Sequence, residues 1–466
     1  MTHRRVHAHT ATGLMTWLTV LALIVTACTG SAPSASPTTT GASASPAPTA
    51  SPTPTPAPTP AASPSGAAIE LAKAAVPRAA ATIDDARAAA SAINAFGFDL
   101  HRALAAKGTN IVASPTSIAI ALGMARIGAR GTTAREMDAV LSDLATDEHA
   151  AWLNGLDQAL AARTRSFTDD EGTAHDQTLD ISNASFAQRD LAFEEAYLEA
   201  LASRFDAGQY LVDYIADAEA ARRQVNAWAS DRTRGRIPEV LIPGDVTADN
   251  RLALVNAIYL KASWAQAFQE DQTVQAPFTR LDGTTVTVPL MRVAQASCGQ
   301  GDGWAAADIP YLGGQLSMLV IVPDDLATFE ATLDADVLAA VDAKIASTAS
   351  VPDVTLPRFD LETREELAPI LAALGMPTAM DADGADFSGM TTQTKLVINK
   401  VIHQANISVD EKGTEAAAVT VVGMDTTGGP ADTCTAHADR PFLFALRDME
   451  TGTVLFLGRV VDPSAG

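Results

Sequence analysis

Apolar positions along this chain repeat with two periods, and the dominant period changes near the middle. Over 67–107, alanines and larger apolar residues recur at three- and four-residue spacing, interrupted at Pro77, which predicts helix. Ser114-Pro115 is a helix start signal, and 116–128 continues from it as a second helix. The same spacing returns over 192–205 and 217–234. Residues 181–186 and 351–359 alternate instead, as half-buried strands do, while 252–260 and 318–322 are continuous apolar runs of strand length. A longer strand is predicted over 396–409. Residues 442–446 and 454–460 flank Thr451-Gly452 as a terminal hairpin. Helices dominate the first half and strands the second, with no internal repeat. That order predicts an α+β fold built on a large mixed sheet.

One stretch fits this scheme poorly. It opens with charges and a glycine, Asp410-Glu411-Lys412-Gly413, and runs on through Thr414, Glu415, Ala416, Ala417, Ala418 and Val419 to Val422. No partner strand follows closely, a Gly/Pro-rich stretch comes next, and 413–439 holds no Lys or Arg. As a strand it would put Thr414, Ala416, Ala418, Thr420, Val422 and Met424 on one uncharged face. Glu415 and Asp425 would begin and end the other. The alternation alone describes an ordinary half-buried strand. A strand-former left exposed without edge protection is also an aggregation hazard, so a chain that keeps one has a use for it.

Composition divides the 466 residues. Residues 1–27 begin with Arg4 and Arg5 and carry an apolar run over 14–27, too short to span a bilayer but right for a secretory signal. The run ends Val25-Thr26-Ala27-Cys28, which is similar to a bacterial lipobox. Cys28 is then expected to carry lipid, and an ordinary cut after Ala27 is the alternative. Residues 28–66 are an uncharged Pro/Ser/Thr/Ala-rich linker, holding ten of the 25 prolines, and cannot bury a core. Residues 67–466 form the globular part, read as one domain because no second linker divides it. All but two of the 32 Lys and Arg lie there, against all 55 Asp and Glu. Nucleic acid and polyanionic glycans are poor partners for so acidic a surface. The membrane is expected to be met only through the lipid anchor, with the domain a monomer at the cell surface, or secreted if Cys28 is not lipidated.

Catalytic motifs are missing. There is no Gly-x-Ser-x-Gly, no His-Glu-x-x-His and no Cys-x-x-Cys. Gly299-Gln-Gly301-Asp-Gly303 has no helix after it and reads as a loop. Asp381-Ala-Asp383-Gly384-Ala-Asp386 lacks the closing Glu of a calcium loop and reads as a turn. His403 sits in an apolar run with no nucleophile beside it, as a satisfied buried histidine does. No metal, cofactor or catalytic residue is expected. Cys298 and Cys434 are 136 positions apart, a spacing that does not by itself pair them.

Several segments together resemble the serpin family over about 88–463. They are Asn110-Ile-Val-Ala-Ser114-Pro115-Thr-Ser117-Ile118, the run from Leu254 through Asn256 to Trp264, Asp386-Phe387-Ser388-Gly389-Met390 and Val401-Ile-His403. The stretch 410–418 is similar to the family's hinge, and Arg440-Pro441-Phe442 and Phe456-Leu457-Gly458-Arg459 to its closing strands. The resemblance implies three β-sheets, about nine helices and an exposed reactive-centre loop. It also implies a serine protease inhibitor that acts as a suicide substrate. The protease cuts the loop and forms an acyl-enzyme, and the hinge side then inserts into the main sheet, a switch for which this family is known. Glu411, Gly413, Thr414, Glu415, Ala416, Ala417, Ala418 and Val419 match the hinge. Ser114, Ser117, Asn256 and His403 match the polar cluster under the sheet opening, and Trp264 the aromatic where insertion begins. Counting the family's usual spacing from Glu411 puts the bait bond at Thr427–Gly428, with Thr426 and Met424 as alternatives. Uncharged bait residues imply extracellular elastase-like or subtilisin-like targets. By the same resemblance Cys434 lies on the strand after the loop and Cys298 follows a strand of the same sheet region, so a bridge between them would pin that strand. A non-inhibitory member serving as carrier, scaffold or adhesion module is the alternative function.

Overall fold

The computed structural model describes residues 69–141, 146–168, 172–414 and 433–465. Three sheets organise them. The main sheet orders β1 (Glu70–Ala72), β5 (Gln209–Val212), β4 (Ala174–Gln188), β6 (Leu252–Ser263), β15 (Gly413–Thr414), β14 (Val401–Asp410) and β13 (Phe359–Glu366), with β3 (Arg165–Thr168) on β4. The second sheet has six strands in the order β2 (Ile111–Ala113), β18 (Val454–Val460), β17 (Phe442–Asp448), β11 (Leu316–Pro323), β10 (Trp304–Pro310) and β9 (Ser297–Gly301). The third has four: β16 (Thr433–His437), β12 (Val351–Pro357), β8 (Thr285–Arg292) and β7 (Val274–Thr279). With nine α-helices among the described residues, the fold is the α+β arrangement expected.

The helix Pro115–Arg126 shows how sequence places an element. Ser114 caps it by accepting from Ser117 N, and Pro115 takes the first turn, where no N–H is needed. Every one of its residues is buried, because it packs against β4 and β6 on one side and β18 on the other. The chain has no charged residue there before Arg126, whose charge is met by Asp138.

Some boundaries differ from expectation. The first helix is Ile83–Ala105, not the whole of 67–107. A capping box between Thr82 and Asp85 starts it, and the segment before it runs extended, adding β1 to the edge of the main sheet against β5. Pro77 lies in that extended stretch, where the missing N–H is harmless. The strand expected over 396–409 begins only at Val401, because Ile398 donates its N–H to Ala379 O instead of a neighbouring strand. Gly299 and Gly301 lie within β9, not in a loop. A Cβ on Gly299 would come within 2.8 Å of Ile345 N, so the helix Ala335–Ser347 packs directly on that backbone.

Candidate functional site

β6 and β14 are parallel neighbours that behave differently along their length. At one end they pair directly, Val401–Gln404 against Leu254–Ala257. At the other end β15 lies between them, Thr414 opposite both Val409 and Ala262. Between these ends, Ile258 to Lys261 and Ala405 to Ser408 have no strand paired across the gap among the described residues. A cavity of about 170 Å³ fills it, lined by Ile258, Leu260, Asn406, Ser408 and Thr414.

β15 is seated by a tight turn whose backbone is fully engaged. Asp410 pairs with Gly413 across the two residues Glu411 and Lys412, and its carboxylate accepts from Lys412 N (2.8 Å) and Gly413 N (3.2 Å). The turn carbonyls accept in their turn: Glu411 O from Phe268 N (2.8 Å) and Lys412 O from Trp264 N (3.0 Å). Gly413 has a φ of +149°, and a Cβ there would stand 2.2 Å from Ala262 O. Only glycine fits on both counts. Thr414 is 2 % exposed, and its Oγ1 lies 2.6 Å from the Tyr311 hydroxyl. Burial holds that phenol well above its ordinary range, so Tyr311 stays neutral.

Two further contacts brace the turn. Trp264 is fully buried, stacks on Tyr311 (4.4 Å between centroids) and Phe268 (5.2 Å), and donates Nε1–H to Asp410 O at 2.9 Å. Glu411 is 3 % exposed. Burial alone would raise its carboxyl, but hydrogen bonds from Arg358 (2.6–2.8 Å) and Thr273 outweigh it and hold the group below the usual carboxylate range.

A row of polar side chains underlies the closed end. Asn183, Asn256 and His403 are in register across β4, β6 and β14. His403 Nε2 accepts from Ser114 N (3.1 Å), so the ring carries its proton on Nδ1 and donates it to Asn256 Oδ1 at 2.6 Å. Asn256 Nδ2 donates to Ser117 Oγ (2.6 Å) and to Asn183 Oδ1 (3.0 Å), and Ser117 Oγ donates to Asn183 Oδ1 (3.1 Å). Burial pushes the His403 imidazole down to about 3, so it is neutral at every physiological pH. The cluster joins the helix Pro115–Arg126 and its cap to three strands through bonds that can be exchanged but not discarded, since an unpaired buried polar group is costly.

The profile of one family, described as "Serpin (serine protease inhibitor)", matches residues 91–463. An uncharacterized serpin-like protein of Thermococcus kodakarensis is 34% identical over 381 residues, covering 81% of this chain and 86% of that protein. The chain belongs to the serpin family. The leukocyte elastase inhibitor of Xenopus tropicalis is 32% identical over 395 residues, covering 80% of this chain and 99% of its own. Among solved structures, the thermophilic serpin tengpin in its native state superposes with a TM-score of 0.72 at 23% identity, over 84% of this chain and 97% of that one. Maspin does so with a TM-score of 0.72 at 22% identity, over 82% of this chain and 100% of its own. Both are likenesses of fold. Serpins are for the most part protease inhibitors, not enzymes.

For this serpin, the structure brings Ser114, Ser117, Asn256 and His403 together, and places Glu411, Gly413, Thr414 and Trp264 at the other end of the same seam. Cys298 and Cys434 are bonded, with 5.9 Å between Cα atoms. Cys298 follows β8, a strand of the sheet that holds Cys434, as expected. It lies within β9 of the six-stranded sheet, so the bond joins two sheets. Glu415, Ala416, Ala417, Ala418, Val419, the bait candidates Met424, Thr426, Thr427 and Gly428, and Cys28 lie outside the described residues. Sequence reasoning missed Asn183, Tyr311 and Arg358. Each earns its role from a neighbour distant in the chain, and only a polar residue inside a strand pattern hinted at Asn183.

Proposed function

We propose that this chain is an exported, surface-anchored serpin of the inhibitory type, a suicide substrate that traps extracellular serine proteases by loop insertion. The supporting observation is the half-open slot. Gly413 and Thr414 already occupy its mouth in register with both walls, and Thr414 borders the cavity between them.

Continuing that register gives the course of insertion. Residues 415–418 would come opposite Lys261 to Ile258 and Ser408 to Ala405, where neither strand has a partner across the gap among the described residues. Ala416 and Ala418 would face inward beside Thr414 and meet little steric resistance. Beyond them the direct pairing of β6 with β14 must open. Thr420 would arrive between Asn256 and His403, on the buried face, and part the bond between them. A hydroxyl there both donates and accepts, so the row can be re-satisfied. Insertion adds backbone bonds on both sides and buries apolar surface, and the uncut state is held by a barrier.

Cutting at Thr427–Gly428 would free the inserting strand with the protease attached. Uncharged bait residues suit elastase-like or subtilisin-like pockets, which discriminate by shape. The run 14–27 and Cys28 would export and lipidate the protein, and 28–66 would lift residues 67–466 off the membrane.

The test is incubation of the full chain with an elastase and with a subtilisin, followed by reducing, denaturing gels and mass spectrometry. A detergent-resistant complex with a fragment starting at Gly428 is the expected result. Loop cleavage that leaves the protease active and does not raise the melting temperature of the cut chain would favour the carrier, scaffold or adhesion reading.

A further inference from the structure

The turn that carries Tyr311 is built on glycine. It joins β10 to β11, with Tyr311 N donating to Leu316 O (3.0 Å) and Leu312 N to Ser263 O (2.8 Å). Its tip is Gly313-Gly314, both left-handed, with φ of +86° and +65°. Two adjacent glycines make this turn possible and also leave it a wide choice of other conformations. Yet Tyr311 is fully buried, is bridged to and stacked on Trp264, and places its hydroxyl 2.6 Å from Thr414 Oγ1. A hydroxyl aimed that closely needs a turn that does not wander.

The restraint comes from a distant part of the chain. β3 and the first residues of β4 pair as a two-stranded extension of the main sheet, Phe167 opposite His175. The extension begins where β4 stops pairing with β6, at Thr178 opposite Lys261, which is the hinge end of the seam. Phe167 packs directly on Gly313, so that a Cβ on that glycine would overlap the ring at Cε1 and Cζ. The Arg165 guanidinium lies over the same ring, 4.4 Å from its centroid. Only glycine leaves room for the ring, and the ring in turn occupies space that the glycine turn would need in order to move.

We propose that Phe167 is a positioning residue for loop insertion: by pinning the Gly313-Gly314 turn, it fixes the Tyr311 hydroxyl where Thr414 is received. The inference rests on the inhibitory reading. Trapping is a race between insertion and hydrolysis of the acyl-enzyme ester by water, so insertion must start without a search for register. Thr414 is the residue from which that register is counted, seated between Val409 and Ala262. Its side-chain bond to Tyr311 opposes a one-residue slip, which would turn the side chain to the other face of the sheet. A wandering turn gives up that bond. Insertion then begins late or out of register, and the protease is released. Phe167 lies in a different element from the hinge, so its loss leaves the cutting of the loop alone.

The experiment compares the full chain with Phe167→Ala and Phe167→Tyr, each incubated with the elastase and with the subtilisin. Reducing, denaturing gels give two quantities, the rate of loop cutting and the ratio of cut chain to covalent complex. In Phe167→Ala the cutting rate is expected to hold while the ratio rises about fivefold, the size of a modest coupling through a shared contact. Phe167→Tyr keeps the ring and is expected to restore the wild-type ratio. Hydrogen exchange is read in parallel on the uncut proteins, in peptides covering 311–316 and 410–414, and is expected to quicken in both segments of Phe167→Ala. A wild-type ratio in Phe167→Ala would overturn the role even if its melting temperature fell, because the ring would then be ordinary packing. Unchanged exchange at 311–316 would overturn it too. Loop cleavage of the wild type that leaves no complex and no rise in melting temperature would instead overturn the inhibitory reading, and the role of Phe167 with it. Should Phe167→Ala not fold, Phe167→Leu removes the flat ring and supplies the same comparison.

Discussion

The two ends of the β6–β14 seam are built from the same pair of strands yet held by different physics. At the closed end, direct backbone pairing is underpinned by the neutral row Asn183, Asn256 and His403, bonded to Ser114 and Ser117. At the open end, a two-residue strand is wedged in place by Trp264, Tyr311 and an ion pair. Short polar bonds can be traded for new ones as strands part. An aromatic stack and a buried carboxylate cannot, and they are suited to fix where the parting begins. Under the proposed insertion, the seam would combine a rigid starting point with an exchangeable zip.

The comparison breaks most severely if the open end rejects its wedge. Thr414→Arg would place a charge where the side chain is buried and replace the Tyr311 bond. Covalent complex on denaturing gels is expected to vanish while loop cleavage continues, and a persisting complex would contradict the role given to the slot. Trp264→Ala removes the stack from the same end. It is expected to destabilise the uncut protein by about 3–5 kcal/mol, measured by denaturant unfolding. Arg358→Ala leaves Glu411 buried without its partner. Because Arg358 is itself partly exposed, a smaller loss of about 1–3 kcal/mol is expected, and it should shrink when Glu411→Gln is added.

At the closed end the sharpest test is pH. His403 is neutral in the folded chain down to about 3, whereas an unfolded histidine gains its proton below about 6.5. The unfolded state thus binds more protons throughout that window, and stability must fall as pH falls from 6.5 toward 3. In His403→Gln the slope of stability against pH between 6.5 and 5 is expected to become shallower. It will not become flat, since burial also pushes His149 down to about 4. An unchanged slope would mean that the imidazole is not sealed in the cluster. The smallest effect is expected from Asn183→Ala, about 1–2 kcal/mol by chemical denaturation, because Ser117 and Asn256 remain to bond each other.

Much of this was legible in the chain. The central helix announced itself through Ser114-Pro115 and an unbroken apolar run. The terminal hairpin did so through Thr451-Gly452, where Gly452 indeed takes a positive φ. The glycine and short side chain at 413–414 already suited a strand set closely between two others, where the structure places them. Local rules sufficed there because each signal and its consequence lie within a few residues.

Tertiary structure alone decided the rest. That residues 70–72 become a strand and not the start of a helix depends on an unpaired edge of β5, more than a hundred residues away. That Asn183 shares a row with Asn256 and His403 depends on register across three strands, which no local pattern encodes. That Glu411 needs Arg358, and that Cys298 reaches Cys434 from a different sheet, depends on how the sheets meet. The sequence by itself determined the central helix and the terminal hairpin, because backbone preference and side-chain alternation act over short range. Only the folded chain determined how far the slot stands open and what holds it there, because long-range packing sets the spacing of two strands.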